Sequence, residues 1–177
     1  SSELDRVVDE PARVSLADQD RRTPDHGRRG GKQHQAVDLP EKSPQKIASM
    51  RNGWGLKPID ARFVIVLPAR LTRWKGQIVL IDAAKKVEAK LPGSLKIILA
   101  GDAQGRKAYI RELEERIADA GLRETVFIAG HLRHIAIALA ASDVAVFPST
   151  DPEAFGRGAI EAQAMRVPVI AANHGGL

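Results

Sequence analysis

Short apolar runs alternate with amphipathic segments along the chain from residue 63 onward. Five runs of β-branched and other apolar residues have the length of strands buried on both faces, at 63–67, 95–100, 126–129, 143–147 and 167–171. Between them, apolar residues recur at helical spacing, which predicts helices over 76–91, 107–120, 135–141 and about 156–165. Because parallel strands need helical crossovers, the alternation predicts an α/β fold, a Rossmann-like open parallel sheet with helices on both faces.

The first 45 residues lack this pattern. No Phe, Trp, Tyr or Ile occurs before Ile47, and residues 18–32 are polar, with Pro24 and three glycines. Such a segment cannot bury enough apolar area to offset the entropy lost on ordering. We therefore expect residues 1–45 to form a poorly ordered, low-complexity linker or tail, and residues 46–177 to form the folded domain.

Composition and charge narrow the class of protein. The 177 residues include no cysteine, which excludes a disulfide scaffold, thiolate metal sites and a cysteine nucleophile. No apolar run approaches the roughly 18 residues that span a bilayer, so a cytoplasmic protein is expected. Residues 1–46 carry nine Lys/Arg and nine Asp/Glu, whereas residues 47–177 carry eighteen and thirteen, so the net charge of +5 belongs to the second segment. This basicity fits a phosphate-bearing ligand, a nucleic acid or an anionic membrane surface.

Three cations follow the first predicted strand. Arg70, Arg73 and Lys75 lie within six positions of one another, just before a predicted helix. An open α/β sheet binds its ligand beyond the carboxyl ends of the strands. Guanidinium and ammonium groups beside a helix N-terminus suit phosphate oxygens. The loop is therefore a candidate diphosphate clamp, with a solvated basic loop as the alternative.

The loops after the second and third predicted strands carry weaker signals. Gly101 and Gly105 are explained by the backbone geometry of a turn between a strand and a helix. Gly130 and His131 follow the third strand, where backbone groups have room to border a flat base. A structural or surface histidine is the alternative at residue 131.

Two glutamates flank the start of the helix that follows the fourth predicted strand. With a helix that begins near Gly156, Glu153 lies in the loop above the sheet, and Glu161 is expected to point inward from the second turn. Glu161 is then a candidate for ribose hydroxyls and Glu153 for a sugar hydroxyl, while amides near Gly156 can approach a phosphate. An ion pair between Glu161 and Arg157 on one helix face is the alternative.

Two common nucleotide-binding motifs are excluded. Gly156-Arg-Gly158 begins like a dinucleotide fingerprint, but Glu161 occupies the position of the third glycine, where a carboxylate repels a pyrophosphate. The sequence also lacks the G-x-x-x-x-G-K-[ST] pattern of P-loop kinases and GTPases. Neither a nicotinamide cofactor nor P-loop chemistry is expected.

Four short motifs occur in a fixed order between about residue 54 and residue 177. They are Arg-x4-Lys-Gly at 70–76, two glutamates with seven intervening residues at 153–161, Glu-Ala-Gln-Ala-Met-Arg-Val-Pro-Val-Ile-Ala at 161–171, and a glycine pair at 175–176. In this order, each at a predicted strand end, the motifs resemble those of the C-terminal, nucleotide-binding domain of the family 4 glycosyltransferases. These enzymes have the GT-B fold and retain the anomeric configuration of the transferred sugar.

The resemblance implies a donor site. The donor substrate would be a UDP-, GDP- or ADP-sugar, with no cofactor and no obligatory metal ion. Arg70 and Lys75 would neutralise the diphosphate leaving group, and Glu153 would orient the donor sugar, which makes these three the implied catalytic residues. The implied donor-nucleotide-binding residues are Gly130 and His131 at the base, Phe155, Gly156 and Arg157 at the phosphate end, and Glu161 at the ribose.

The resemblance also implies what the whole enzyme does. It would move a hexosyl group to a glycan or lipid-linked acceptor in bacterial polysaccharide assembly, with peripheral association at the inner face of the membrane and no specific nucleic acid. From the resemblance we expect the given chain to lack the family's N-terminal acceptor domain and to be incomplete at its C-terminus. We therefore expect the isolated chain to bind a nucleoside diphosphate weakly without transferring sugar. The alternatives are another GT-B enzyme, such as a nucleotide-sugar epimerase or phosphorylase, and a non-catalytic module that binds nucleotides or nucleic acid.

Two positions depart from the family pattern. Arg166 stands where Ala-x-Gly-x-Pro has its glycine, which is expected to alter the turn into the last strand. Gly158 occupies a helical site where an apolar residue is usual, and costs about 1 kcal/mol of helix propensity relative to alanine.

Overall fold

The computed structural model describes residues 43–153, 156–173 and 175. In chain order the elements are α1 (Pro44–Gly53), β1 (Phe63–Pro68), α2 (Gln77–Glu88), β2 (Leu95–Ala100), α3 (Lys107–Asp119), β3 (Val126–Gly130), α4 (Ile135–Ala140), β4 (Val144–Phe147), α5 (Arg157–Ala164) and β5 (Val169–Ala171). Each strand and helix predicted from residue 63 onward is present, with ends shifted by at most three residues. The predictions for residues 1–42 lie outside the described residues.

The strands form one parallel sheet. Its five strands follow the order β3-β2-β1-β4-β5, and each neighbouring pair is parallel. β1 lies at the centre, between β2 and β4, so the direction of winding reverses at β1. This confirms the predicted open α/β sheet and places a topological switch point, the usual ligand crevice of such sheets, at the carboxyl end of β1.

Helices cover both faces of the sheet. Ile81 of α2 and Leu113 of α3 belong to the apolar cluster on one face, and both are fully buried. Leu139 of α4 and Ala162 of α5 belong to the cluster on the other face, together with Trp54 at the end of α1. Burial of strands on both faces explains their continuous apolar runs.

Helix α1 was not predicted, and it begins inside the segment assigned to the tail. Its sequence carries weak signals, because none of its residues is fully buried. The Ser43 side chain accepts a hydrogen bond from the amide of Lys46, and Pro44 occupies the first turn, as is common at helix starts. Arg51 donates to the carbonyl of Ala141 over 3.0 Å and so joins α1 to the end of α4.

The two departures from the family pattern have structural explanations. Arg166 adopts a left-handed backbone with φ of 56°, which is the conformation that a glycine adopts at least cost. At Gly158, a Cβ atom would lie 2.5 Å from Cε1 of Phe147. The missing side chain of Gly158 therefore allows α5 to lie close against β4.

Candidate functional site

The loops that follow β1 and β4 are in direct contact at the switch point. The amide of Thr150 donates to the carbonyl of Trp74 over 2.8 Å. Gly76, which has φ of 77°, lies so close to the second loop that a Cβ atom there would be 1.9 Å from the carbonyl oxygen of Pro148. Only glycine meets both requirements, which explains the glycine of the Arg-x4-Lys-Gly motif.

An ion pair joins the same two loops. The ammonium group of Lys75 donates to Oε1 of Glu153, and the side chains are only 16% and 12% exposed. The Ser149 hydroxyl donates to the same oxygen over 2.6 Å, and the Lys75 Nζ lies 4.1 Å from the centroid of the Trp74 ring. Lys75 and Glu153, which the sequence assigned to separate roles, therefore form one unit.

The Glu153 carboxyl is held in its ionised form. Burial by itself would raise the pKa of this group, but hydrogen bonds from Lys75 and Ser149 and the positive charges of Lys75 and Arg70 outweigh it. The net effect is a pKa below the ordinary value of 4.5. At neutral pH the carboxylate is therefore an acceptor of hydrogen bonds and not a general acid.

A cavity of about 400 Å³ opens beside this ion pair. It is lined by Pro68, Ala69, Arg70, Trp74, Lys75, Phe147, Glu153, Gly156, Arg157 and Gly158. The structure thus brings together the three predicted catalytic residues and two of the predicted phosphate-end residues, Gly156 and Arg157. The third predicted phosphate-end residue, Phe155, lies outside the described residues.

A smaller cavity of about 220 Å³ adjoins the first, because both are lined by Pro68, Ala69 and Arg70. His131 lines it, together with Asp102. Gly130 precedes His131 at the end of β3, where its carbonyl accepts a hydrogen bond from the amide of Gly101 over 2.8 Å. Arg70 is the charged side chain among these three shared residues, so a ligand that extends through both cavities would pass it.

The predicted inward orientation of Glu161 is wrong. Its side chain is exposed, and the inward position of that turn belongs to Ala162, which is fully buried. The alternative ion pair with Arg157 is not among the ion pairs of the described residues. The ribose contact proposed for Glu161 stays a prediction.

Arg73 does not join the predicted clamp. Its guanidinium pairs with Glu112 of α3 and lies 5.5 Å from the centroid of the Tyr109 ring. The Arg73 side chain is 72% exposed. Of the three cations, Arg70 and Lys75 therefore line the cavity, while Arg73 contacts the neighbouring helix.

Sequence reasoning missed one buried polar residue beside the site. Gln77, the first residue of α2, is 0% exposed and donates through Nε2 to the carbonyl of Arg70 over 2.9 Å. The Tyr109 hydroxyl donates to Oε1 of Gln77 over 3.0 Å. The signal was available, since Gln77 occupies the same inward stripe of α2 as Leu80, Ile81 and Ala84.

Other features of the described residues are not associated with the predicted chemistry. A larger cavity of about 710 Å³ lies between α1 and α4, with mainly apolar side chains such as Met50, Trp54 and Phe127. In the described ranges, no group of three or more His, Asp or Glu side chains is placed to hold a metal ion. None of the helices within those ranges has the length and apolar character that a membrane crossing requires.

Comparison with known proteins decides the family. The family described as Glycosyl transferases group 1 matches residues 54–177. The chain belongs to the group 1 glycosyltransferases. It corresponds to their C-terminal domain: the isolated C-terminal domain of a group 1 glycosyltransferase (LpcC) from Francisella tularensis superposes with a TM-score of 0.63 and 26% identity, covering 78% of this chain and 69% of that one.

Relatives of known structure and sequence agree with this placement. Anabaena HepE, solved in complex with UDP-glucose, matches with a TM-score of 0.67 and 38% identity over 76% of this chain and 35% of that one. A D-inositol 3-phosphate glycosyltransferase from Xylanimonas cellulosilytica is 36% identical over 131 residues, which is 73% of this chain and 30% of the relative. The chain thus spans about a third of the length of these two relatives.

Proposed function

We propose that the two adjoining cavities form the donor site of a retaining glycosyltransferase that uses a nucleoside-diphosphate sugar. The observation that carries the proposal is the joint position of Arg70, Lys75 and Glu153 in one cavity at the switch point of the sheet. Cations and a carboxylate in one space match the two ends of the reacting bond. The cations suit the diphosphate that departs, and the carboxylate suits hydroxyl groups of the sugar that moves.

Each cation has a distinct role in this proposal. Negative charge builds up on the diphosphate as the glycosidic bond breaks, and a fixed cation stabilises that transition state more than the ground state. Arg70 offers a planar pair of N–H donors to phosphate oxygens, whereas Lys75 offers a point charge already held by Glu153. Gly156 and Arg157 border the same cavity and would receive the distal phosphate oxygens.

The remaining nucleotide contacts are proposed from position. His131 lines the smaller cavity, so it and Gly130 would border the base. Glu161 is exposed on α5 and would accept hydrogen bonds from the ribose hydroxyls. Phe155 would shape the phosphate end, by the family resemblance alone. UDP is the favoured nucleotide, because HepE was solved with UDP-glucose.

The full reaction requires more than this domain. We propose that the whole enzyme is cytoplasmic and transfers a hexosyl group with retention to a glycan or lipid-linked acceptor, with peripheral association at the membrane. Because this chain spans about a third of its relatives, the acceptor side is assigned to an additional domain. The isolated chain is proposed to bind nucleoside diphosphates without transferring sugar.

Titration calorimetry with UDP, GDP and ADP, followed by the corresponding glucose derivatives, tests the binding part. We expect measurable heat with at least UDP and weaker binding of Glu161→Ala, which loses the ribose contact. Absence of heat with all three nucleotides contradicts the proposal. Sugar transfer by the isolated chain, followed by chromatography of labelled products, contradicts the assignment of the acceptor side to another domain.

The same variant separates the rival functions. A nucleic-acid module predicts salt-sensitive binding of an oligonucleotide that Glu161→Ala leaves unchanged. The donor site predicts that Glu161→Ala weakens the binding of UDP-glucose. It predicts no specific binding of the oligonucleotide by either protein. Product analysis with the whole enzyme distinguishes a transferase from an epimerase or a phosphorylase.

A further inference from the structure

We propose that Gln77, oriented by Tyr109, is a positioning residue that fixes the backbone of Arg70 and so aims its guanidinium into the donor site. The inference rests on the proposed function for its ligand, but the contacts that carry it exist without ligand. Two hydrogen bonds connect α3 to the loop after β1 through one buried amide. The first hydrogen bond runs from the Tyr109 hydroxyl to Gln77 Oε1, and the second from Gln77 Nε2 to the carbonyl of Arg70.

The direction of these two hydrogen bonds fixes the orientation of the Gln77 amide. The Tyr109 hydroxyl donates to the Gln77 oxygen, so the amide nitrogen is turned toward the Arg70 carbonyl. Burial raises the pKa of Tyr109 to about 12, which keeps this hydroxyl protonated and able to donate throughout the physiological range. Gln77 is 0% exposed, so water does not compete for either bond.

The hydrogen bond to the Arg70 carbonyl adds to two other backbone contacts of the loop after β1. Leu71, the next residue, donates its amide to the carbonyl of Asp102 over 3.0 Å, and Trp74 accepts from the loop after β4. Gln77 therefore adds a third support on the side of α2, at the residue whose side chain borders both cavities. A backbone held in place before binding reduces the ordering cost that the ligand would otherwise meet.

A purely structural role for Gln77 makes different predictions. Loss of the amide would then lower the stability of the whole domain, with no effect confined to the loop at residues 69–76. Ile117→Val is the matched control, because it removes one methyl group from the buried cluster that also contains Tyr109. Ile117 takes no part in the hydrogen bonds that join Tyr109, Gln77 and Arg70. The two variants separate general loosening from loss of positioning.

Gln77→Met and Tyr109→Phe test the inference on the full chain. Methionine has a similar volume but cannot donate to the Arg70 carbonyl, and phenylalanine removes the donor that turns the amide. Hydrogen exchange measured by mass spectrometry is expected to rise about tenfold in peptides covering 69–76 for both variants, since one hydrogen bond to a buried group is lost. Peptides covering β3 and α4, and the loop in Ile117→Val, are expected to exchange as in the wild type.

Ligand binding gives the second readout. UDP affinity is expected to fall about tenfold in Gln77→Met, with a smaller chemical-shift change of the Arg70 Nε resonance on UDP addition than in Ile117→Val. Unchanged exchange at 69–76 overturns the inference whether or not UDP binds. If the wild type binds UDP, unchanged affinity in Gln77→Met overturns it as well. A wild type that binds no nucleotide contradicts the proposed function instead, and leaves the exchange result to decide on the anchoring.

Discussion

The Lys75 ammonium group and the Glu153 carboxylate form an ion pair across two loops whose residues lie 78 positions apart in the sequence. The pair is mostly buried, and its oxygen also accepts from the Ser149 hydroxyl. Because the two loops follow adjacent strands, β1 and β4, the pair holds together the carboxyl edge of the sheet where the donor site is proposed.

The stability losses caused by removing the two partners of this pair are expected to be coupled and not additive. Lys75→Met leaves the Glu153 carboxylate largely buried without its cation, which should lower the free energy of unfolding by about 1–3 kcal/mol. The double variant Lys75→Met/Glu153→Gln should lose less than the sum of the single variants. Urea unfolding measures the coupling. Arg116→Met, which breaks a half-exposed pair with Asp82, is the control and should cost clearly less stability than Lys75→Met. Strict additivity of the two single variants would contradict this account.

Glu153 also gives the stability a pH dependence of known sign. Its folded pKa lies below the ordinary value of 4.5, so its contribution is complete above that value and is lost as the pH falls through the folded pKa. The difference in unfolding free energy between the wild type and Glu153→Gln should be constant from neutral pH to about 5.5 and shrink below about 4.5. Asp82, whose pKa is lowered by its hydrogen bond with Arg116, contributes equally to both proteins and cancels. Parallel curves down to pH 3 would count against the assignment.

The left-handed backbone of Arg166 predicts a stabilising substitution. Arg166→Gly should raise the free energy of unfolding by about 1 kcal/mol, because glycine adopts positive φ without the penalty that a Cβ atom brings. Gln163→Gly, three residues earlier on the exposed surface of α5, is the control and should lower it by about 1 kcal/mol. Thermal unfolding followed by circular dichroism gives both signs. A destabilised Arg166→Gly variant would show that the Arg166 side chain has a role that the backbone does not explain.

The close contact between the two loops at Gly76 predicts that Gly76→Ala lowers the free energy of unfolding by more than a positive φ alone would. Gly76→Ala and Gly121→Ala both place a Cβ at positive φ, but the space at Gly121 is open, whereas the new atom at Gly76 would overlap the carbonyl of Pro148. Gly121→Ala should cost about 1–2 kcal/mol, and Gly76→Ala about 1–3 kcal/mol more. Urea midpoints of the two variants provide the comparison. Equal losses of unfolding free energy in the two variants would contradict the prediction, because they would mean that the loops can move apart at Gly76 without loss of stability.

The apolar pattern was sufficient to predict the sheet, the helices that cover it and the edge of the sheet at which the candidate site lies. Strands such as β4 are buried on both faces, so the sequence Val-Ala-Val-Phe is continuously apolar and the position of the strand is unambiguous. Helix α1 escaped prediction because it is short, mostly polar and has no fully buried residue, and only Ile47 and Met50 pack against the core. The signal that remained was the Ser43-Pro44 start, which is common to turns and helices.

Side-chain pairing at the site was less accessible from the sequence. Spacing placed Arg70, Lys75 and Glu153 at strand ends, but not the bond between Lys75 and Glu153, which depends on the contact of two loops. The same limit explains Glu161, because a shift of one position around a helix exchanges an inward side chain for an exposed one. The burial of Gln77 could be read from the inward stripe of α2, but its hydrogen bond with Tyr109 could not, because a bond between α2 and α3 leaves no local pattern.

The most direct test of the donor site is the affinity for UDP of the wild type, Arg70→Ala and Arg123→Ala, measured by titration calorimetry. Both arginines are exposed, but their positions differ. Arg70 borders the two adjoining cavities, which lie at the carboxyl ends of the strands, whereas Arg123 precedes β3 and so lies at the amino end of that strand. The account predicts that the wild type binds UDP, that Arg70→Ala binds at least about tenfold more weakly, and that Arg123→Ala binds like the wild type. Equal UDP affinity in the wild type and Arg70→Ala would contradict it.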